Sequence, residues 1–414
     1  MAAEPPVAVL VAARDEGTRI GATVDELRRL FEGAEVVVAD DGSRDATAAA
    51  AEAAGARVVR LPRRGKGQAL TLAERTLPPG PVLLCDADLR GDLRPLAAAD
   101  GDVVVAAFAR RQGGGFGLAK DAARRLIAVA SGFEAREPLS GQRVLSARAR
   151  AACFPVAAGF GVETRMTVDA VRAGLVVREL ELDLEHRPTG RDAIGFLHRG
   201  RQLSDIVLAF GPTAVNHRGL RLPLVGWVVG VASPEVAPVA ALGLADDLWS
   251  GGERGVRAHL RAGRTTGVLK LVGIPAYALL RTRSLSGALL VGLAANTLNQ
   301  LDTRPGRALK AFALGTAALR LRPRGAGVAA VLLASYDLRE MAMLGDSGSN
   351  ALGAVLGFCS VKRFSRRQRW SAIAALAALN LLGERRSLGS LIERTPVVRD
   401  LDAWGRQAEC TQPT

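Results

Sequence analysis

Residues 82–88 read Val-Leu-Leu-Cys-Asp-Ala-Asp, an apolar run that ends in two carboxylates one residue apart. A run that is apolar at every position is typical of a strand buried on both faces in a parallel sheet. Ligands of open α/β sheets bind beyond the carboxyl ends of such strands, where Asp86 and Asp88 stand. Two hard oxygen donors there can bind a divalent cation. An isolated pair of this kind is also typical of a solvated loop, so the rest of the chain must decide.

Further apolar runs surround this stretch, and helical patterns separate them. The runs are residues 7–13, 36–39 and 58–61 before it and 103–107 after it. Strands that alternate with helices at this spacing predict a mostly parallel α/β sheet. The polar residues that follow each strand are therefore expected at one edge of that sheet.

These polar residues have the chemistry that a nucleoside diphosphate requires. Carboxylates such as Glu16 and Asp41 can accept hydrogen bonds from a base or ribose, and basic residues such as Lys66 can neutralise phosphate. The glycines on either side of Lys66 allow a close approach of the backbone. Each residue alone is typical of a solvated loop. Four strand ends in succession, closing on Asp86 and Asp88, indicate a nucleotide site.

The composition limits the functions that the chain can have. Its 414 residues suit two or more domains, and with only 4% aromatic residues the core must consist largely of Ala, Val and Leu. The net charge of +14 favours phosphate-bearing substrates or an anionic membrane. Nucleic acid is not expected as a partner, since zinc-finger spacing and aromatic-laced basic stretches are missing. Four scattered cysteines and no apparent secretory signal predict a first domain that faces the cytoplasm.

Residues 7 to about 210 resemble the family 2 glycosyltransferases, which have the GT-A fold. The resemblance rests on four segments: 11–16 (Val-Ala-Ala-Arg-Asp-Glu), 39–47 (Ala-Asp-Asp-Gly-Ser-Arg-Asp-Ala-Thr), 65–70 (Gly-Lys-Gly-Gln-Ala-Leu) and 86–88 (Asp-Ala-Asp). Within the family, the chain is similar to dolichol-phosphate mannosyltransferases and glucosyl-3-phosphoglycerate synthases. The resemblance implies a Rossmann-like GT-A domain over residues 1–215 that binds a nucleotide-sugar donor, with Mg²⁺ or Mn²⁺ as cofactor.

The resemblance also implies roles for particular residues. Asp88 and His186 are expected to bind the metal ion, and Asp86 is expected to assist at the ribose or the metal. Glu163 is expected to contact acceptor or sugar hydroxyls as a third catalytic residue, although a carboxylate near a helix start also stabilises the helix dipole. The residues expected to bind the donor nucleotide are Arg14, Glu16, Asp41, Lys66, Arg187 and Arg191.

From residue 216 onwards, short basic clusters separate apolar runs. The runs are residues 222–244, 285–301, 308–319, 325–334, 351–359 and 372–382. Most are shorter than the roughly 20 residues that a spanning helix needs, but the basic clusters are typical of loops beside anionic lipid. We expect an all-α domain over residues 216–414 in the inner (cytoplasmic) membrane, with the catalytic domain on its cytoplasmic side. A soluble alanine-rich helical domain is the alternative.

Short polar segments between these apolar runs resemble motifs of the polyprenyl-phosphate sugar-1-phosphate transferases. The resemblance covers about residues 240–400 and implies a second site for phosphate and metal. Its candidate residues are Asp246, Asp247, Asn299, Asp302 and Asp346. Most of the helices that precede the paired aspartates in that family are missing here, as is its histidine cluster. The second half is therefore expected to be a reduced domain whose own activity stays open.

Together these features predict a metal-dependent glycosyltransferase of cell-envelope glycan synthesis. The expected acceptor is polyprenyl phosphate or a polyprenyl-linked sugar. A phosphate acceptor needs no general base, because its second pKa near 6 leaves an anionic oxygen at neutral pH. Three alternatives stay open: a second, sugar-1-phosphate transferase activity in the membrane half, a soluble acceptor of the phosphoglycerate type, and a second half that only anchors the enzyme.

Overall fold

The computed structural model describes residues 5–108, 118–184, 193–249 and 265–406. The chain divides into two compact units between Arg221 and Leu222. The first unit has an α/β architecture, and the second consists largely of helices. The predicted order of a mostly parallel α/β unit followed by a helical unit is confirmed.

Seven strands of the first unit form one sheet in the order β3-β2-β1-β4-β6-β5-β7. Their ranges are β1 Ala8–Ala13, β2 Glu35–Asp41, β3 Arg57–Leu61, β4 Val82–Asp86, β5 Val103–Phe108, β6 Arg143–Leu145 and β7 Val177–Leu182. Neighbouring strands are parallel except at β6, which runs antiparallel to both β4 and β5. Two short strands, β8 Thr213–Val215 and β9 Arg221–Pro223, form a separate pair.

The position of β1 in this sheet explains its apolar sequence. Val9 and Leu10 are both fully buried, in hydrophobic clusters on opposite faces of the sheet. A strand covered on both faces has no position for a polar side chain. Ala12 pairs with Ala39 of β2 on one side and with Asp86 of β4 on the other. The carboxyl ends of these three strands therefore lie side by side.

Helices cover both faces of the sheet. Their ranges are α1 Ile20–Leu30, α2 Thr47–Ala53, α3 Lys66–Glu74, α4 Arg94–Ala98, α5 Leu118–Ser131, α6 Ala147–Cys153, α7 Val162–Arg172 and α8 Ala193–Phe210. Ile20 of α1 packs in the same cluster as Val9, whereas Leu70 of α3 and Met166 of α7 pack in the cluster of Leu10. The helix that begins at Lys66 is thus fixed to the sheet by its apolar side chains.

The second unit is built on close contacts between helices. Their ranges are α9 Val228–Ala232, α10 Ala237–Trp249, α11 Thr265–Thr282, α12 Leu285–Leu301, α13 Arg307–Ala318, α14 Arg324–Asp337, α15 Gly345–Arg363, α16 Arg366–Arg385, α17 Leu388–Arg394 and α18 Pro396–Ala403. A Cβ atom on Gly353 would lie 2.4 Å from the carbonyl oxygen of Ala294, and one on Gly357 would lie 2.6 Å from the Cα atom of Val291. Since the later residue of α15 meets the earlier residue of α12, these two helices run antiparallel at a distance that only glycine permits.

The lengths of these helices bear on the predicted membrane domain. Within the described ranges, no helix combines the length and the apolar character needed to cross a bilayer. The second half is confirmed as helical. Its embedding in a membrane stays a prediction.

Candidate functional site

The loops that follow β1 and β2 are tied together by hydrogen bonds. The backbone N–H of Asp15 donates to the hydroxyl of Ser43 at 3.0 Å, and the N–H of Glu16 donates to Oγ1 of Thr47 at 2.8 Å. The guanidinium of Arg14 lies 3.6 Å from the carboxylate of Asp15 and is exposed. These contacts place Arg14 and Glu16, two of the predicted nucleotide-binding residues, at the carboxyl edge of the sheet.

Asp41 shapes the loop that leads into α3. It is only 5% exposed, and its carboxylate accepts hydrogen bonds from the N–H groups of Arg64 at 2.6 Å and Gly65 at 2.9 Å. Burial raises the pKa of Asp41 above its ordinary value, although the two N–H groups and Arg14 oppose that shift. Asp41 thereby fixes the backbone directly before Lys66.

Lys66, the first residue of α3, joins two carboxylates that are far apart in the sequence. Its Nζ atom lies 2.6 Å from Oδ1 of Asp86 and 2.6 Å from Oε1 of Glu163. Burial alone would lower the pKa of Lys66, but the charges of Asp86 and Glu163 raise it above its ordinary value. The ammonium group is therefore fully charged at neutral pH. Asp86, Lys66 and Glu163, all predicted from the sequence, form one cluster.

The second carboxylate oxygen of Asp86 is held by the segment before β6. Nε2 of Gln142 donates to Oδ2 of Asp86 at 3.0 Å, and Oε1 of Gln142 accepts a hydrogen bond from Ser140 at 3.2 Å. A Cβ atom on Gly141 would lie 2.4 Å from Oδ2 of Asp86. A glycine at this position therefore lets the backbone approach the carboxylate. Gln142 was not among the predicted site residues.

Arg143 lies next to this cluster and binds residues that support it. It was also not predicted as a site residue. It is 1% exposed and donates to the carbonyl of Ser140 at 2.8 Å and to Oγ1 of Thr167 at 2.8 Å. Burial lowers the pKa of Arg143, and the charge of Glu163 opposes that shift. The hydroxyl of Thr167 donates in turn to the carbonyl of Glu163 at 3.0 Å. Both residues that were missed lie in the segment Ser-Gly-Gln-Arg at 140–143.

Asp88 is half-buried just beyond β4 and differs from Asp86 in its contacts. No hydrogen bond or ion pair of its carboxylate is found among the described residues, so its oxygens fit the role of a metal ligand. His186, Arg187 and Arg191 lie outside the described residues. Within the part of the chain that is described, no group of three or more His, Cys, Asp or Glu side chains is arranged to hold a metal ion. The binding of a metal ion by Asp88 therefore stays a prediction.

A second polar centre lies in the helical unit, where α10, α11, α12 and α15 meet. Nζ of Lys270 lies 2.8 Å from Oδ2 of Asp246 and contacts Oδ2 of Asp346, which also accepts from Nδ2 of Asn299 at 3.2 Å. The carboxylate of Asp247 accepts from the N–H of Asp346 at 3.0 Å. Four of the predicted residues thus meet around a lysine that was not predicted. In this arrangement an ammonium group lies between Asp246 and Asp346, and the predicted binding of phosphate or metal stays a prediction.

Burial gives the carboxylates of this second centre unusual pKa values. Desolvation, with a further contribution from Asp346, raises the pKa of Asp247 to about 7. Desolvation also raises the pKa of Asp302 well above its ordinary value, and the charges of Asp337, Asp346 and Asp247 add to the shift. Asp302 therefore belongs to the same electrostatic cluster. At neutral pH the carboxylate of Asp247 is therefore only partly ionised.

Comparison with protein families gives one match, over residues 8–120, to the family described as glycosyl transferase family 2. The chain is 30% identical over 265 residues to glycosyltransferase AglJ of Haloferax volcanii, which covers 57% of this chain and 87% of AglJ. It is 32% identical over 228 residues to the glucosyl-3-phosphoglycerate synthase of Mycolicibacterium paratuberculosis, which covers 47% of this chain and 69% of that protein.

Solved structures give more distant matches. One is the glucosyl-3-phosphoglycerate synthase of Mycobacterium tuberculosis in complex with Mn²⁺, uridine diphosphate and phosphoglyceric acid. It shares 27% identity and a TM-score of 0.42 with this chain, over 50% of this chain and 77% of that structure.

Proposed function

The chain belongs to glycosyl transferase family 2, and we propose that its α/β unit is a metal-dependent enzyme that transfers a sugar from a nucleotide-sugar donor. The observation that carries the proposal is the cluster of Asp86, Lys66 and Glu163 at the carboxyl end of β4, next to Asp88. In this sheet the carboxyl ends of β1, β2 and β4 are adjacent, as a donor cleft requires.

Lys66 is the residue proposed to bind the donor diphosphate. It is the first residue of α3, whose N-terminal backbone N–H groups add partial positive charge to this edge of the sheet. Both charges are already in place before reaction, because Asp86 and Glu163 hold the ammonium group in one position. Preorganised positive charge stabilises the negative charge that develops on a departing diphosphate.

The metal ion is proposed to bind at Asp88, with His186 as a further ligand. When it is bound, a divalent cation supplies charge stabilisation to the leaving diphosphate. Asp86 is already engaged through both oxygens, by Lys66 and Gln142. We therefore propose that Asp86 orients Lys66, while Asp88 is the residue that binds metal. Glu16, Arg14 and the loop that Asp41 holds lie on the nucleoside side.

The contacts of Glu163 support a proposal for the class of acceptor. Its side chain is 7% exposed and paired with Lys66, so it is poorly placed to remove a proton from a hydroxyl acceptor. A phosphate monoester carries an ionised oxygen at neutral pH and needs no such base. We propose polyprenyl phosphate as the acceptor, in cell-envelope glycan synthesis. A soluble phosphoglycerate-type acceptor and a polyprenyl-linked sugar are the alternatives.

A donor and acceptor screen tests this proposal. Purified full-length chain would be incubated with nucleotide sugars, Mn²⁺ or Mg²⁺, and either polyprenyl phosphate or 3-phosphoglycerate, and the products would be identified by mass spectrometry. The proposal predicts a glycosylated polyprenyl phosphate and release of nucleoside diphosphate. Glycosylated phosphoglycerate alone would assign the soluble acceptor. Failure of every donor to yield nucleoside diphosphate in the presence of either metal would contradict glycosyl transfer.

A second candidate function, transfer of a sugar-1-phosphate by the helical unit, is favoured by one observation. Asp246, Asp247, Asn299 and Asp346, which lie in the segments that resemble phosphosugar transferases, meet at one end of four helices around Lys270. Such transfer releases nucleoside monophosphate, whereas glycosyl transfer releases nucleoside diphosphate. Monophosphate release that Asp346→Asn abolishes would support this function. Release that is unchanged in Asp346→Asn would contradict it.

A further inference from the structure

The outward faces of several helices in the helical unit are apolar. On α11, the side chains of Leu269, Val272 and Leu280 are 53%, 61% and 78% exposed, and they lie along one side of the helix. On α14, Val328 and Val331 are 63% and 74% exposed. A helix at a water-facing surface presents polar side chains at such positions.

The same feature continues on α16. The stretch between Trp370 and Gly383 contains no charged residue, yet most of it is not buried. Only Ile373 and Asn380 in that stretch are buried. Trp370 is 45% exposed and Leu381 is 64% exposed. We call the exposed apolar side chains of α11, α14 and α16 the outer apolar surface. Its members are Leu269, Leu271, Val272, Leu279, Leu280, Val328, Val331, Leu332, Tyr336, Trp370, Leu379, Leu381 and Leu382.

The two units differ sharply in this respect. Among the described residues, only four well-exposed large apolar side chains lie before residue 222, namely Val129, Val176, Val207 and Val215, against 24 after it. Scattered apolar side chains are normal on any protein surface, but a concentration of this kind indicates a surface that another apolar phase covers.

Positive charge gathers at one end of these helices. Glu235 lies 3.0 Å from Lys362 and 3.9 Å from Arg281, so the turns α11–α12 and α15–α16 both reach it. A Cβ atom on Gly325 would lie 1.8 Å from the carbonyl oxygen of Ala232, which brings the turn α13–α14 to the same place. We call the exposed cations of these turns the basic end. They are Arg281, Arg283, Arg320, Arg322, Arg324, Lys362, Arg363, Arg366 and Arg367.

From these two observations we propose that the outer apolar surface contacts the acyl chains of an anionic bilayer, with the basic end at the lipid headgroups. Apolar faces beside clustered Arg and Lys are the combination that anionic lipid binds. A second copy of the chain fits this surface less well, because a chain with a net charge of +14 offers the basic end little anionic surface. The proposal concerns the helical unit alone, so its failure would leave the donor site of the α/β unit unaffected.

Vesicle flotation of the full-length chain tests this proposal. We expect at least tenfold more protein to float with phosphatidylglycerol vesicles than with phosphatidylcholine vesicles. The double substitution Leu280→Glu and Val331→Glu should reduce flotation with phosphatidylglycerol at least tenfold, because both exposed side chains would then carry charge. Arg366→Ser with Arg367→Ser should reduce the preference for phosphatidylglycerol. Val129→Glu, at an 88% exposed position in the α/β unit, is the matched control and should float like the wild type.

Circular dichroism and sedimentation of the same samples complete the test. The glutamate variants should keep the wild-type helix content, since the substituted side chains are exposed. Wild-type protein that does not float, or glutamate variants that float like it, would overturn the proposal. A wild-type dimer that the double substitution dissociates, without flotation, would assign the surface to a second copy and would also overturn it.

Discussion

Each carboxylate oxygen of Asp86 has its own partner. Oδ1 binds the ammonium group of Lys66, and Oδ2 accepts from Gln142. The backbone of Gly141 packs directly against the carboxylate. Because Lys66 also binds Glu163, a displacement of Asp86 would move the positive charge that we assign to the donor diphosphate. The geometry at this one residue therefore controls the donor site.

The first prediction concerns Gly141→Ala. Its Cβ atom would lie 2.4 Å from Oδ2 of Asp86, so the carboxylate must shift and Lys66 with it. We expect sugar transfer to fall roughly 100-fold, in line with the displacement of a preorganised charge, while the fold is kept. Gly21→Ala is the matched control. Gly21 lies within α1, and its added Cβ atom would make only an ordinary contact, at 3.6 Å. Equal transfer rates in the two variants would contradict the assigned role of Asp86.

The second prediction concerns Lys66→Met. This change removes the positive charge that lies 2.6 Å from both Asp86 and Glu163. We expect transfer to fall on the order of 100-fold or more through loss of charge stabilisation, measured as kcat with the natural donor. Arg94→Met, which removes an exposed ion pair with Asp92, should leave kcat unchanged. Wild-type kcat in Lys66→Met would exclude Lys66 from the donor site.

The sequence allowed Asp86, Lys66 and Glu163 to be predicted separately, but not their contact. Lys66 and Glu163 are 97 positions apart, and only the packing of α7 against the sheet brings them together. Gln142 and Arg143 were missed for a related reason. A neutral amide and a buried arginine carry no chemical signal of their own until Asp86 and Thr167 are placed beside them.

At the scale of elements, Arg307 connects the last two described helices, α17 and α18, to α13. Its guanidinium is 3% exposed and binds the carboxylate of Asp402 through two nitrogens, at 3.1 and 2.8 Å. Glu393 lies 3.4 Å away. Because Arg307 begins α13 while its partners belong to α17 and α18, this one side chain joins three helices.

The third prediction concerns Arg307→Met. Removing Arg307 leaves the buried Asp402 with Arg406 as its remaining counter-charge, and this should cost up to about 3 kcal/mol, the low end for a broken buried pair. We expect the unfolding free energy of the helical unit to fall by about that amount, with faster hydrogen exchange over residues 388–406. Arg399→Met, which breaks an exposed pair with Asp400, should cost less than about 1 kcal/mol. Equal losses in both variants would show that the buried pair does not hold these helices.

The fourth prediction follows from the raised pKa of Asp247, about 7. Between about pH 4 and pH 7 the folded chain binds one proton more than the unfolded chain, so this group stabilises the fold on acidification. Going from about pH 7 to about pH 5 should stabilise the wild type by about 2 kcal/mol relative to Asp247→Asn. Denaturant unfolding at both pH values measures this difference. Parallel pH dependence in the two proteins would contradict the raised pKa.

Most strands were predictable because burial on both faces leaves runs such as 82–85 without any polar residue. The position of the antiparallel strand β6 was not predictable. It has only three residues, Arg143–Leu145, and nothing in their sequence indicates that they lie between β4 and β5. The helices of the second unit were predictable as helices from their apolar runs. Their exposed apolar faces required the structure, because periodicity does not distinguish an inward face from an outward one.

At the scale of the whole molecule, a change in composition near residue 216 marks the change from sheet to helices. The predicted domains, 1–215 and 216–414, remain a proposal, and the compact units meet between Arg221 and Leu222. Each unit has its own polar centre, one around Lys66 and one around Lys270. Both centres pair a half-buried lysine with carboxylates, but the match to glycosyl transferase family 2 covers residues 8–120, within the α/β unit. We therefore assign sugar transfer to the α/β unit.

Transfer of a labelled sugar by wild type and by Asp88→Ala, with and without Mn²⁺, tests this assignment most directly. The wild type should transfer sugar only when the metal is present, and Asp88→Ala should be at least about 100-fold slower at every metal concentration. Circular dichroism should confirm that the variant keeps its fold, since no hydrogen bond or ion pair of the Asp88 carboxylate is found among the described residues. Metal-dependent transfer at the wild-type rate in Asp88→Ala would contradict the proposed site.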